Sequence, residues 1–162
     1  MRLVEGRVEI DDLDAFLADL RAIGDRHGCA IQAFDPRYVA GREHVERAVE
    51  LANRSFERGE NVADDRSIEI LLYAAGRRQI DRALAMGVAA GPQDVVLVVD
   101  GDDEAGAVTA LTELVTETPV LDGGDEERLQ AFFEIGDAEL AATTGSLADV
   151  VRERVALLDV EK

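Results

Sequence analysis

DVVLVVD, residues 94–100, places five aliphatic residues in a row between two aspartates. An uninterrupted apolar run of this length predicts a strand that is buried on both of its faces. Such a strand belongs at the centre of a sheet that has helices on each side. The run therefore indicates an α/β protein.

The sequence on either side supplies the other elements of this fold. Polar and apolar residues alternate over 2–10, which predicts a strand, and CAIQAF predicts another over 29–34. Apolar residues at helical spacing, with capping residues and glycines at the ends, predict the helices. They cover about residues 12–26, 42–58, 65–75, 78–86, 103–117 and 125–133, one turn near 137–142, and a last helix that Ser146 and Asp149 open as a capping box. Residues 119–124 predict a short extended piece. We expect a single α/β domain over residues 1–162, with a small mixed β-sheet covered by several helices.

The charge of the chain is strongly negative and unevenly distributed. The chain has 17 basic and 35 acidic residues, a net charge of −18, and its basic side chains are sixteen Arg and one Lys. Such a composition is typical of proteins from very salty cytoplasm, since the Debye length is only about 3 Å at 1 M salt. Residues 37–82 hold nine Arg and nine acids, so the whole negative excess lies outside this window. Any contact with nucleic acid would be confined to the window, because carboxylates repel phosphate.

The sequence lacks the common catalytic and nucleotide-binding motifs. It contains no GxxxxGK[ST] loop, no GxGxxG, no GxSxG and no HExxH. His27, Cys29 and His44 lack a paired spacing for metal ligation, and a buried thiol with ordinary histidines is the simpler interpretation. Two acidic triplets, 102–104 and 125–127, stand where helices begin. Favourable interaction with the helix dipole is a simpler interpretation of them than cation binding. We expect no enzymatic activity, no cofactor and no metal site.

A basic doublet interrupts RSIEILLYAAGRRQIDRALAMG, residues 66–87. Arg77 and Arg78 follow Gly76 at the break between two short helices, and guanidinium groups suit phosphate and stack on bases. Alternatively, they cap carbonyls of the helix that ends near Gly76, or they pair with acids such as Asp81. The residues leave both interpretations open. The other arginines near the doublet in this window include Arg42, Arg66 and Arg82.

An apolar pair follows the doublet. Ile80 and Leu84 lie four residues apart on the second helix, with Ala83 beside them. The set either packs into the core or forms a patch for a protein partner, flanked by arginines that are enriched at interfaces.

Two longer segments resemble a known family. They are QAFDPRYVAGREHVERAVELA (32–52) and SIEILLYAAGRRQIDRALAMGV (67–88), followed by the VVLVV strand and the closing FEIG…EL and VRERVALL segments. They resemble the kinase-binding regulatory subunit of the archaeal KEOPS (EKC) complex, and the acidity resembles members of this family from halophilic archaea. Asp35-Pro36 departs from the family pattern, where a small residue is expected after the Asp.

The resemblance implies a non-catalytic role in tRNA modification. KEOPS makes threonylcarbamoyladenosine in tRNA, and this subunit binds the small atypical kinase/ATPase subunit and helps recruit the single-stranded 3′ CCA end of the tRNA. By position, the resemblance implies Ile80, Ala83 and Leu84 for the kinase interface. It implies Arg77, Arg78 and Gln79 for the tRNA end, and Arg66 and Arg42 are added as neighbouring basic candidates.

A different class of function remains open on the residues alone. A small ligand or substrate could occupy a pocket at the sheet edge near His44 and Arg42, with His44 as general base. For location, the chain has a lone cysteine, no apolar run long enough to cross a bilayer, and an N-terminus, MRLVEGRVEI, without the apolar region of a signal peptide. These features predict a cytoplasmic protein.

Overall fold

The computed structural model describes residues 1–161 and shows an α/β architecture, as predicted. In chain order the elements are β1 (Arg2–Ile10), α1 (Leu13–His27), β2 (Cys29–Phe34), α2 (Arg42–Glu57), α3 (Arg66–Ala75), α4 (Ile80–Ala83), β3 (Gly91–Gly101), α5 (Glu104–Leu111), β4 (Thr116–Glu117), α6 (Glu126–Phe132), α7 (Asp137–Ala142) and α8 (Leu147–Glu161). Short 3-10 turns cover Pro36–Tyr38 and Leu84–Met86. None of the described helices is both long enough and apolar enough to cross a membrane.

The four strands within residues 1–161 form one sheet in the order β2-β3-β1-β4. β3 lies between β2 and β1, as its sequence predicts, and Leu97 stands opposite Ala33 on one side and Val4 on the other. Every strand pair is antiparallel. The prediction of a mixed sheet is therefore wrong in this respect. β1 and β2, which α1 connects along the chain, run in the same direction. In the sheet β3 lies between them, so they do not form a parallel pair.

The chain divides into two compact units, and the expectation of one domain over residues 1–162 stays a prediction. The first unit comprises residues 1–36 and 87–120 and contains the sheet with α1 and α5. Alternate residues of β3 pack with apolar side chains of the neighbouring strands and of the two helices. This core includes Val4, Ile10, Phe16, Leu20, Ile23, Ile31, Ala33, Val95, Leu97, Val99, Ala107, Leu111 and Val115. Val96 and Val98, which alternate with them, are also fully buried. The predicted burial of both faces of β3 is therefore confirmed.

The second unit comprises residues 37–86 and the segment from Leu121 onward, and it is helical. α2 packs against α3, α8 packs against both, and α6 also contacts α8. Its buried apolar side chains include Val45, Leu51, Ile70, Leu71, Leu72, Tyr73, Leu129, Val151 and Val155. This unit contains every residue that the sequence proposes for a partner.

Some predicted boundaries move in the structure. α5 ends at Leu111, before the predicted end at 117, because Glu113 and Leu114 turn tightly onto Ala110 and Leu111 through backbone hydrogen bonds. The short strand that follows is Thr116–Glu117 and pairs with β1; it precedes the predicted extended piece at 119–124. The capping box before α8 is confirmed, since Ser146 and Asp149 exchange hydrogen bonds of 2.8 and 3.3 Å.

Candidate partner-binding segment at Arg77–Leu84

The segment begins where α3 ends in a fixed geometry. Asp65 caps the start of α3 by accepting a 2.8 Å hydrogen bond from the Ser67 amide. At the other end Gly76 adopts φ 61° in the left-handed region, and the Arg77 amide donates back to the Leu72 carbonyl at 3.1 Å. This 6→1 bond is the signature of a Schellman ending. The chain therefore leaves α3 in one defined direction, as the sequence predicts from the glycine.

The side chain of Arg77 points into the protein. Its guanidinium donates a hydrogen bond to the carbonyl of Phe132, and its Cζ lies 4.6 Å from the centroid of the Phe132 ring. Its Nε is buried and has no hydrogen-bond partner among the described residues. Phe132 in turn packs edge-on against Phe133 at 5.0 Å and Tyr38 at 5.6 Å. Arg77 does serve as a cap, but for the end of α6 and not for α3.

A second arginine completes this cap. Nε of Arg154, on α8, donates a 3.3 Å hydrogen bond to the Phe133 carbonyl, and its guanidinium pairs with Glu139 at 2.7 Å. The hydrogen bond to Glu139 raises the pKa of Arg154 above its ordinary value. Two arginines from distant parts of the chain therefore satisfy consecutive carbonyls at the end of α6, where cations are also favoured by the helix dipole.

The residues after Arg77 face solvent, and two of them are large and apolar. Arg78 and Gln79 are exposed, and Ile80 and Leu84 expose 46% and 55% of their surface. By contrast Ala83 is fully buried, as is Met86. For Ile80 and Leu84 the structure favours the surface patch over core packing. The buried Ala83 anchors the helix, and its side chain offers no surface to a partner.

The other two basic candidates lie at opposite ends of the α2–α3 pair. Arg42 begins α2 and pairs with Glu46 at 2.5 Å along the same helix. Arg66 begins α3 and donates a 2.8 Å hydrogen bond to Asn53 near the end of α2. The length of α3 separates Arg66 from Arg77, about 15 Å at 1.5 Å per residue. The arginines of the window therefore do not form one cluster.

His44 is a structural residue of the helical unit. It is 1% exposed; Nδ1 accepts a 3.0 Å hydrogen bond from the Ala40 amide, and Nε2 donates one of 2.8 Å to the Ala74 carbonyl. Burial lowers the pKa of His44 to about 4, so the ring is neutral at pH 7. Both ring nitrogens are occupied, so neither is available to act as a general base.

A small hollow does lie beside His44, with a volume of about 210 Å³. It opens at the start of α2 in the helical unit and not at a sheet edge. Arg152 on its wall forms ion pairs with Glu43 and with Asp149, which neutralise its charge. Among residues 1–161 no group of three His, Cys, Asp or Glu side chains is arranged to hold a metal ion.

Residues 11–159 match the model of the protein family described as kinase binding protein CGI-121. The chain belongs to the CGI-121 family. The match covers all of the segment from Arg77 to Leu84, together with α6 and the part of α8 that hold it. No curated protein shows a significant match to the chain.

Within the region matched to the CGI-121 family, sequence reasoning missed the residues that hold the segment in place. Phe132 and Arg154 lie 55 and 77 residues beyond Arg77, and no local pattern links them to it. The only available signal was Gly76, which marks the helix ending but not what packs against it. The structure brings Arg77, Arg78, Gln79, Ile80 and Leu84 onto one short segment, as their sequence positions require.

Proposed function

We propose that this protein is a non-catalytic subunit of the KEOPS complex that binds the small atypical kinase/ATPase subunit. The observation that carries this proposal is the pair Ile80 and Leu84, two half-exposed aliphatic side chains. Ile80 begins α4 and Leu84 begins the 3-10 turn after it, in place of the single helix predicted over 78–86, and the buried side chains of Ala83 and Met86 anchor these two turns. Covering the exposed part of each side chain would contribute about 1 kcal/mol of binding free energy. Membership of a family described as kinase binding supports a kinase as the occupant.

We further propose that the same segment helps to recruit the 3′ CCA end of tRNA. Arg78 and Gln79 are exposed immediately before the apolar pair, and they lie in the window that carries no net charge. A guanidinium and an amide can contact phosphate oxygens and unpaired bases at a single-stranded end. Arg42 stands near this end of the α2–α3 pair, since His44 two residues later contacts Ala74; Arg66 stands at the far end and contributes less.

The kinase interface is tested by Ile80→Glu and Leu84→Glu, assayed by co-purification with the kinase subunit in molar salt. We expect affinity for the kinase to fall by about 100-fold or more, because a buried carboxylate adds a desolvation cost to the lost apolar contact. Leu17→Glu is the matched control: Leu17 lies on α1, is 43% exposed, and the change adds the same charge. A complex that survives both substitutions in the segment would contradict the proposed interface.

The RNA contact is tested separately, by fluorescence anisotropy with intact tRNA and with tRNA that lacks CCA. We expect the truncated tRNA to bind more weakly, and Arg78→Gln and Gln79→Ala to remove the difference between the two RNAs. Equal affinities of the unaltered protein for the two RNAs would rule out recognition of the CCA end.

A further inference from the structure

Arg77 differs from its neighbour Arg78 in burial: Arg77 is half-buried, and Arg78 is exposed. The guanidinium of Arg77 already lies over the Phe132 ring and donates to the Phe132 carbonyl, while its Nε is shielded from solvent. To contact RNA, the side chain would have to leave the ring and abandon this carbonyl. Arg154 could not replace it there, because Arg154 is engaged with Phe133 and Glu139.

Arg77 stands at the start of the exposed segment. It follows the left-handed Gly76 and precedes an uninterrupted exposed run, Arg78–Arg82, before the chain is buried again at Ala83. Arg77 is thus the last half-buried side chain before the exposed residues begin, and it ties the start of the segment to the helical unit. The tie runs through Phe132, which Tyr38 and Phe133 hold from two further sides.

We infer that Arg77 is a positioning residue, which orders the segment 78–84 through Phe132 and does not itself contact RNA. The inference deepens the proposed function and rests on it where RNA is concerned. Arg78 and Gln79 then make the contact with the RNA end, and Arg77 fixes the direction in which they are presented.

The first test needs no RNA. Hydrogen exchange is measured on the full chain for Arg77→Gln, with Arg58→Gln as control, because Arg58 is exposed at the end of α2 and its loss changes the charge equally. We expect the amides of residues 78–84 to exchange about tenfold faster in Arg77→Gln only, as the loss of one stacked and hydrogen-bonded cation implies. Unchanged exchange in this segment would overturn the inference. If Arg77→Gln fails to fold, Phe132→Leu keeps the carbonyl, removes the ring, and should raise exchange in the same segment.

The second test separates positioning from phosphate contact by the salt dependence of tRNA binding. Arg77→Gln should weaken binding by about three- to tenfold and leave the slope of log K against log salt unchanged. Arg78→Gln should reduce that slope by about 0.7, the value for one phosphate contact on a single strand. A reduced slope in Arg77→Gln would show direct contact and overturn the inference. If the unaltered protein binds no tRNA, the proposed RNA role fails, while the exchange measurement still decides whether Arg77 orders the segment.

Discussion

Tyr73 on α3 donates a 2.7 Å hydrogen bond to Oδ1 of Asp159 on α8. The other oxygen of the same carboxylate, Oδ2, accepts a 2.5 Å hydrogen bond from Arg54 on α2. Tyr73 is fully buried, and burial together with this hydrogen bond raises the pKa of its hydroxyl above the ordinary value. One carboxylate thus links the three helices that pack together in the helical unit.

Asp159→Ala should lower the free energy of unfolding by about 2 kcal/mol, because it leaves the buried hydroxyl of Tyr73 without its acceptor. The ion pair contributes only part of this, since the Arg54 side chain is 38% exposed and solvent screens it. Tyr73→Phe alone should cost about 1 kcal/mol. Urea denaturation in high salt measures both. The double variant should lose less stability than the sum of the losses in the two single variants. A loss equal to that sum would mean that the two side chains do not interact.

The stability of the protein should fall in mild acid because of His44. Its pKa is lowered to about 4 in the folded state, whereas the unfolded state binds a proton near pH 6.5. The unfolded state therefore gains protons first, and the contribution of His44 is complete above pH 6.5 and lost as pH falls toward 4. Between pH 6.5 and 5 the loss should reach about 2 kcal/mol, at 1.36 kcal/mol per pH unit.

The control for this pH dependence is His44→Gln, which removes the titrating group. Its unfolding free energy, measured by urea titration at each pH, should decline less steeply than that of the unaltered protein over the same interval. Identical slopes for the two proteins would show that His44 is protonated equally in both states and would contradict this prediction.

Glu69 holds the loop between α2 and α3, so its loss should loosen that loop. The side chain is 1% exposed and accepts hydrogen bonds from the Ala63 amide at 2.9 Å, the Val62 amide at 3.0 Å and the Ser55 hydroxyl at 2.8 Å. Glu69→Ala should cost about 3 kcal/mol in urea denaturation, because it leaves three donors without their acceptor. Limited proteolysis should then cut within residues 59–64. Glu57→Ala, at an exposed position on α2, should change stability by less than about 0.5 kcal/mol.

Two glycines should respond differently to the same substitution. Gly59 and Gly76 both have positive φ, 67° and 61°, so alanine at either position is strained by about 1 kcal/mol. A Cβ at Gly59 would meet nothing within 4 Å, but at Gly76 it would lie 3.1 Å from the Arg154 carbonyl oxygen. Gly76→Ala should therefore cost about 2 kcal/mol and Gly59→Ala about 1 kcal/mol in thermal unfolding. Equal losses would indicate that α8 shifts to make room.

Ion pairs show how far local sequence rules reach in this protein. The spacing in α2 favours pairing of Glu43 with Arg47 and of Glu50 with Arg54. In the structure Glu43 pairs with Arg152, and Arg54 pairs with Asp159, both on α8. For Glu43 and Arg54 a tertiary partner replaced the local one, because pairs along one helix contribute only about 0.2–0.5 kcal/mol. Arg47 and Glu50 still pair with each other along α2 at 2.9 Å.

The candidate segment divides in the same way. The helix ending at Gly76 and the apolar residues Ile80 and Leu84 after it follow from residues that are neighbours in sequence. The exposure of Ile80 and Leu84 was decided by the structure. That Ala83 is buried, that Arg77 turns inward and that His44 has no free nitrogen depend on α6 and on contacts across α2 and α3. Sequence periodicity predicts which residues share a helix face, but it does not predict which residues from distant parts of the chain pack against that face.

The sequence by itself determined the kinds of elements, their caps and the central place of β3, because these depend on the conformational preferences of residues only a few positions apart. The tertiary structure alone decided the antiparallel order of the sheet and the direction in which Arg77 points. Both depend on which distant residues meet when the chain becomes compact: β3 comes between β1 and β2, and Phe132 comes under Arg77. Local conformational preferences do not determine these contacts, because the contacts form when the chain as a whole buries its apolar surface.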